Sequence, residues 1–256
     1  MTTTASTTDT ELAPFPFPKI YNYPPFFTRQ VNDRTWHAQL LNWAELILAY
    51  CRYYRLFTLD LKIPTGTSSD NSSKNERSGE LLFRNDKIGR TLKEEMLREI
   101  FEYMVSNGLA MWIDGEIDKK LLDDDTSINK TGGDSDEDDE DNAYERAYAR
   151  YEQQHHKQQK SSGKSNSAAA KSGIIVYWRR PQEWATLITD WVDETGQNGS
   201  VFTLYELVSG DAVQRQEFRG LHPAVLLQVV DVLVRRGRAS VMKDSSTGLV
   251  AGLKML

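Results

Sequence analysis

The chain has 256 residues, 39% of them hydrophobic and 27% charged, with a formal net charge of -6. That length suits one large domain or two small ones, since domains of about 60 residues can fold alone. The longest uninterrupted apolar run is six residues, Leu46 to Cys51, too short to span a bilayer. The N-terminus lacks the basic start and apolar core of a secretory signal, and a lone cysteine forms no internal disulfide, which points to a reducing compartment.

Residues 1–13 read as a polar tail. Residues 14–28 hold five prolines and six aromatics. Proline at that density excludes a helix interior and favours extended polyproline II. Two readings stay open from composition. Either these rings close over the chain's own core, or a stiff arm presents Phe26 and Phe27 to another protein. Burying both rings is worth about 3–6 kcal/mol, and association costs about 4–15 kcal/mol. Such an arm would need the adjoining domain face to hold a partner.

Asp33 to Arg55 places Trp36, Leu40, Trp43, Ile47, Tyr50 and Tyr54 at three- and four-residue steps, the apolar face of a helix. Asn32 or Asp33 can cap it. Phe57 to Leu61 alternates like a short strand. A polar insertion follows over 64–79, then a short helix over Leu81–Ile88. Lys93 to Asn107 carries Met96, Leu97, Ile100, Met104 and Val105 on one face, with Gly108 as the left-handed stop. Leu109–Asp114 and Ile174–Arg179 read as strands of a hairpin whose turn is replaced by residues 115–172.

That segment holds 14 acidic and 9 basic residues, so most of the chain's negative balance belongs to it. Its aliphatic content is too low to offset the entropy of ordering, which predicts a disordered insertion. It reads as an acidic interaction tail or as a tolerated loop expansion; the latter is favoured, because charge runs mostly stay solvated.

The second half repeats the first. Trp43-Ala44-Glu45-Leu46-Ile47 matches Trp184-Ala185-Thr186-Leu187-Ile188, Phe57-Thr58-Leu59 matches Phe202-Thr203-Leu204, and Gly108-Leu109-Ala110-Met111 has a counterpart at Gly237 to Val241. Three signals in the same order indicate two copies of one fold. A helix opens at Pro181 and runs to about Glu194, burying Trp184, Leu187, Ile188, Trp191 and Val192. Val201–Leu204 reads as a strand and Tyr205–Ser209 as a short helix. A longer helix runs from Pro223 to Gly237, and a hairpin joins Arg238–Lys243 to Leu249–Lys254. Helix, strand, helix, helix, hairpin is the winged-helix order. The predicted architecture is α+β: a tail (1–13), an arm (14–28), a first winged-helix domain (29–180, with the insertion in its wing) and a second (181–256).

The sequence carries no glycine-rich phosphate loop. Its four histidines and one cysteine make no metal-ligand pattern, so no metal or cofactor is expected. Cys51 reads as a buried small hydrophobe, not a nucleophile, and His222 as a cap-region residue. A winged-helix nucleic-acid-binding transcription regulator is the rival reading, because a third helix can enter a major groove. The Lys93–Asn107 helix is net negative, however, and phosphate would repel it. The Arg235, Arg236 and Arg238 cluster is explained by its helix C-terminus.

Tyr23-Pro24-Pro25-Phe26-Phe27-Thr28, Tyr50-Cys51-Arg52, Trp178-Arg179-Arg180-Pro181-Gln182-Glu183-Trp184 and Val201-Phe202-Thr203-Leu204-Tyr205-Glu206-Leu207 resemble the small-subunit family of ESCRT-II, an endosomal complex of the vacuolar protein sorting machinery. The resemblance covers nearly the whole chain outside 1–13, 64–79 and 115–172. It implies a tandem winged-helix fold, and two copies of the chain assembled with one copy of each of two larger subunits. It implies that Pro24, Pro25, Phe26 and Phe27 enter hydrophobic pockets on those partners. It further implies that Arg90, in Ile88-Gly89-Arg90, meets a partner carboxylate with its two-pronged guanidinium; without the family, Arg90 reads as a solvated surface arginine. The second domain is similar to the part that recruits an ESCRT-III subunit. The implied role is that of a non-catalytic assembly subunit in sorting ubiquitinated cargo into multivesicular endosomes. It would be cytoplasmic and peripheral on the endosomal membrane, touching the membrane only through the complex, and would bind no nucleic acid. The sequence departs from the family in the acidic insertion and in Gln216 to Leu221, where Arg219 stands at a position often held by histidine.

Overall fold

A computed structural model of the chain describes residues 13–61, 80–114, 171–243 and 250–256. The insertion expected at 64–79 lies wholly outside these residues, as does that at 115–172 up to residue 170. Helix α1 (Asp33–Tyr54) starts where Asn32 Oδ1 accepts the Thr35 N–H at 3.1 Å, one of the first-turn donors that lacks an intrahelical partner. It stops at Arg55, a non-glycine residue in the left-handed region at φ 55°. There follow β1 (Thr58–Asp60), α2 (Glu80–Phe83), β2 (Arg84–Asn85), β3 (Arg90–Thr91), α3 (Glu94–Ser106), β4 (Ala110–Asp114) and β5 (Lys171–Val176).

The helix expected over Leu81–Ile88 lasts a single turn. The chain then closes the β2–β3 ribbon through Gly89, whose φ of 59° suits glycine. Asn85 makes that turn by accepting the Lys87 N–H on its own side chain at 3.1 Å, a local bond that competes with helix continuation. The strand expected at Ile174–Arg179 sits three residues earlier, so Lys171 and Ser172 belong to the sheet and not to the insertion. The sheet is antiparallel in the order β1-β5-β4, with Leu59, Ile174 and Trp112 in one row. At Gly173 a Cβ would stand 2.3 Å from the Leu59 carbonyl oxygen, so only glycine lets β1 approach there.

The second half repeats this plan with α4 (Pro181–Thr195), β6 (Val201–Phe202), α5 (Leu204–Ser209), α6 (Pro223–Arg235), β7 (Ala239–Lys243) and β8 (Val250–Met255), in the sheet order β6-β8-β7. Strand β6 is shorter than expected. Thr203 Oγ1 accepts the Glu206 N–H at 3.0 Å while the Glu206 carboxylate accepts the Thr203 N–H at 2.8 Å. This capping box makes Leu204 helical. His222 caps α6, its Nδ1 accepting the Ala224 N–H at 3.2 Å.

Trp43, Ile47 and Tyr50 of α1 pack on Leu97, Ile100 and Met104 of α3 to form the first core, and Trp184, Ile188, Leu226, Val230 and Leu253 lie in the second. The two are joined through β5. Ile174 and Val176 point into the first core, while Ile175, with Phe57 and Ile113, points into the second. A strand buried on both faces reads as an unbroken apolar run, and Ile174-Ile175-Val176 is one. Polar contacts rim the seam. Arg55 donates to the carbonyl oxygens of Glu217 at 2.7 Å and Arg219 at 2.6 Å, Arg179 pairs with Glu217, and Gln228 donates to the Tyr177 hydroxyl.

Candidate partner-docking face

The arm is not the extended polyproline II segment expected. Its prolines open turns instead. Lys19–Asn22 and Pro24–Phe27 each form a 3-10 turn. Pro24 and Pro25 occupy the first two positions of the second, where an absent N–H loses no bond. The Phe26 N–H reaches the Tyr23 carbonyl at 2.9 Å and the Thr28 N–H reaches that of Pro25 at 3.1 Å.

These turns throw Phe26 and Phe27 inward, where they are 3% and 4% exposed. Phe26 stacks on the Trp43 indole, with centroids 4.3 Å apart and planes within 6°. Phe27 meets Trp43 edge-on at 5.4 Å and Tyr21 at 5.3 Å. In the chain alone both rings therefore pack within its own core, one of the two readings that composition left open. The cause is energetic: about 3–6 kcal/mol of ring burial is available inside the chain without the translational cost of association.

The backbone of the arm is pinned as firmly as its rings. Trp43 Nε1 donates to the Phe26 carbonyl at 3.1 Å, and the Gln39 amide donates to the Phe26 and Thr28 carbonyls. The Tyr21 hydroxyl donates to the Arg84 carbonyl at 2.9 Å, and the buried Asn85 amide donates to the Tyr21 carbonyl at 2.8 Å. Burial, with smaller contributions from Tyr50 and Asp86, pushes the Tyr21 phenol above its ordinary pKa, so it stays a donor.

What the arm shows to solvent is its other side. Pro24 and Pro25 are exposed, Tyr23 is 60% exposed and Ile20 is 38% exposed. Strand β3 lies against the Pro24–Phe27 turn, which brings Arg90 to the same region. Arg90 is exposed, and its side chain has no hydrogen bond or ion pair among the described residues. The structure thus brings together all five residues singled out in sequence, but in two layers. Pro24, Pro25 and Arg90 lie outside; Phe26 and Phe27 form the base. Tyr23 and Ile20 belong to the outer layer and were not singled out. Gln39, Trp43 and Asn85 hold the arm. Gln39 and Trp43 are one helical turn apart, a spacing that puts them on one face of α1, but no sequence signal tied that face to the arm.

Other reactive groups are accounted for by packing. Cys51 is fully buried, and desolvation pushes its thiol far above the ordinary value. Burial pulls His222 down to about 4. Among the described residues, no group of three or more His, Cys, Asp or Glu is placed to hold a metal ion.

The described residues thus form a duplicated α+β chain with an exposed proline ridge beside Arg90, whose side chain is unpaired among them. The family model described as ESCRT-II complex subunit matches residues 20–131 and 142–222, and the chain belongs to that family. It is 30% identical over 228 residues to vacuolar protein-sorting-associated protein 25 of Danio rerio, covering 89% of this chain and 92% of that one. It is also 30% identical over 239 residues to the protein of the same name from Schizosaccharomyces pombe, covering 93% and 97%. Among solved structures it superposes on the VPS25 subunit of the endosomal trafficking complex ESCRT-II with a TM-score of 0.61 at 22% identity, over 93% of this chain and 98% of that one. It superposes on a chain of an ESCRT-II crystal structure described as VPS22/VPS25/VPS36 with a TM-score of 0.58 at 24% identity, over 91% and 97%. Family membership makes the chain an ESCRT-II complex subunit, a structural component and not an enzyme.

Proposed function

We propose that the chain joins the two larger ESCRT-II subunits through the Tyr23-Pro24-Pro25 ridge and Arg90, with two copies per complex. One observation carries this reading. The ridge is exposed yet fixed to the core at both backbone and ring level, so little ordering cost remains on binding. Arg90 supplies a charge that nothing within the described residues satisfies, and a partner carboxylate matches it. In this reading Phe26 and Phe27 shape the ridge from below and do not enter a partner. Both halves are winged-helix domains, and the second recruits an ESCRT-III subunit during sorting of ubiquitinated cargo into multivesicular endosomes. Membrane contact is indirect, on the cytoplasmic face of the endosome; no helix among the described residues is long and apolar enough to cross a bilayer.

The nucleic-acid reading is disfavoured by burial. Helix α6, the third of the second half, has seven apolar residues from Val225 to Leu233 buried, and Gln228 faces Tyr177 of the first half. Arg235 donates to the Asp231 carbonyl, Arg236 donates to the Thr186 hydroxyl and Arg238 pairs with Asp193, so all three clustered cations are already engaged.

The test is native mass measurement of the chain co-expressed with the larger subunits. Pro24→Ala with Pro25→Ala, and separately Arg90→Glu, should each weaken assembly by about tenfold or more while leaving the melting temperature unchanged. Full assembly by both variants would reject the ridge as the docking face.

A further inference from the structure

A groove of about 500 Å³ opens beside α1, lined by Leu48, Ala49, Arg52, Tyr53 and Trp178. Ligand sites are commonly about 300–1,000 Å³. It lies where the first helix meets the segment entering the second half, and none of Pro24, Pro25 and Arg90 lines it. We propose that it is a second docking site, for an acidic peptide segment of another protein. An apolar side chain of that segment sits in the groove, with a run of carboxylates on one side of it only.

The charge around the groove selects this occupant. Arg52 stands on its wall, and the Arg52 side chain is exposed, with no ion pair or hydrogen bond among the described residues. Arg179 directly follows Trp178. Arg55 closes α1 and lays its guanidinium on the Glu217 and Arg219 carbonyls. Arg219 is itself exposed, and its side chain is unpaired among the described residues. These contacts gather four guanidinium groups against one carboxylate, Glu217, which Arg179 already engages. The seam is thus positive in a chain whose net charge is -6. The helix dipole accounts for a cation at the end of α1, but not for arginines that arrive from the far end of β5 and from the loop at 217–219. Along α1 the sign reverses. Glu45 is exposed on the same face as Arg52, two turns and about 10 Å back. A carboxylate run is drawn to the seam and repelled from the Glu45 end.

The walls are already in place. The Tyr53 hydroxyl donates to the Ala13 carbonyl at 2.8 Å, and its ring meets Phe15 edge-on at 5.5 Å. Trp178 is edge-on to Trp184 at 5.0 Å and tilted over Phe57 at 5.1 Å. Side chains held this way lose little freedom when a ligand arrives. The lining also separates a peptide from a lipid surface. Anionic headgroups need only the charges, whereas Leu48, Ala49 and two aromatic walls reward an apolar side chain. Guanidinium forks match carboxylates in two-pronged pairs.

The test is fluorescence anisotropy on the full-length chain with the labelled peptide Leu-Phe-Asp-Glu-Asp-Glu. It should bind about tenfold more tightly than Leu-Phe-Asn-Gln-Asn-Gln, and raising salt from about 0.1 M to 1 M should erase most of that gap. Arg52→Glu, and separately Ala49→Trp, which fills the groove from an exposed position, should each weaken binding by about tenfold. Arg52→Glu should in turn prefer Leu-Phe-Lys-Arg-Lys-Arg. Moving half of the acids to the other side of Leu-Phe should weaken binding, and Glu45→Gln should recover it. No preference for the acidic peptide, or a preference that both variants leave intact, would overturn the proposal, as would indifference to where the acids stand. Two other occupants are read in parallel. Arg52-dependent binding of phosphatidylserine vesicles without peptide binding would make the seam a lipid contact. Arg52-dependent self-association in sedimentation without peptide binding would make the occupant a second copy. Either result overturns the proposal. The far-ultraviolet spectrum of each variant establishes that it is folded before its affinity is read.

Discussion

Replacing Phe26 by alanine separates a residue that binds a partner from one that builds the surface a partner meets. The ring is 3% exposed and lies flat on Trp43 at 4.3 Å. Truncating a buried phenylalanine to alanine costs about 3–5 kcal/mol, part of it lost transfer energy and part the cavity left behind. The Trp43 and Gln39 bonds to the Phe26 carbonyl survive, because they go to backbone. For a chain of this size each kcal/mol shifts the melting temperature by about 2–4 °C, so a fall of roughly 6–20 °C is expected by calorimetry on the isolated protein. Pro24→Ala, on the exposed side of the same turn, should change stability by less than about 0.5 kcal/mol. A Phe26→Ala protein that melts within about 2 °C of the parent and fails only in assembly would refute the two-layer arm. It would return the ring to a partner's pocket.

Arg55→Ala should destabilise the chain, since it removes both bonds to the 217–219 backbone and leaves a Cβ at a φ of 55°; Arg55→Gly should be about 1 kcal/mol less harmful because it relieves the left-handed strain, as read by urea denaturation. Hydrogen exchange at Gln216 to Leu221 should quicken in both. His222 has a folded pKa of about 4 against the usual 6.5, so its neutral form favours folding fully above pH 6.5. That contribution is lost as pH falls from 6.5 to about 4, about 3 kcal/mol in all. His222→Asn, which keeps a capping acceptor, should flatten the stability profile over that window in equilibrium unfolding. Deleting residues 118–170 shortens the β4–β5 connection and should leave assembly unchanged and stability unchanged or higher, by at most ~2 kcal/mol of closure entropy, as read by thermal unfolding; a fall in either would mean that the segment makes contacts of its own.

Much of the fold was legible because the signals were local. Asn32, Pro181 and the Gly108 stop act within one helical turn, and the apolar spacing of α1 and α3 is visible without a partner. The duplication survived as three matched stretches. What escaped depended on long-range fit. Leu82 and Phe83 look like the start of a helix, yet Asn85 turns the chain to meet Tyr21, 64 positions away. Composition placed six rings in the arm but could not say whose core they would fill, because Trp43 and Gln39 are ordinary helix residues until the arm lies across them. The boundary of β5 moved because Lys171 and Ser172 carry no strand character; register against β4 puts them in the sheet.

The middle strand of the first sheet is shared property. With Ile174 serving one core and Ile175 the other, neither half can swing without tearing an apolar layer open to water. The span from the proline ridge to the far hairpin is therefore set inside a single polypeptide, as a beam's length is set before it is bolted in place. Any larger structure raised on this chain inherits its reach and pitch from that strand.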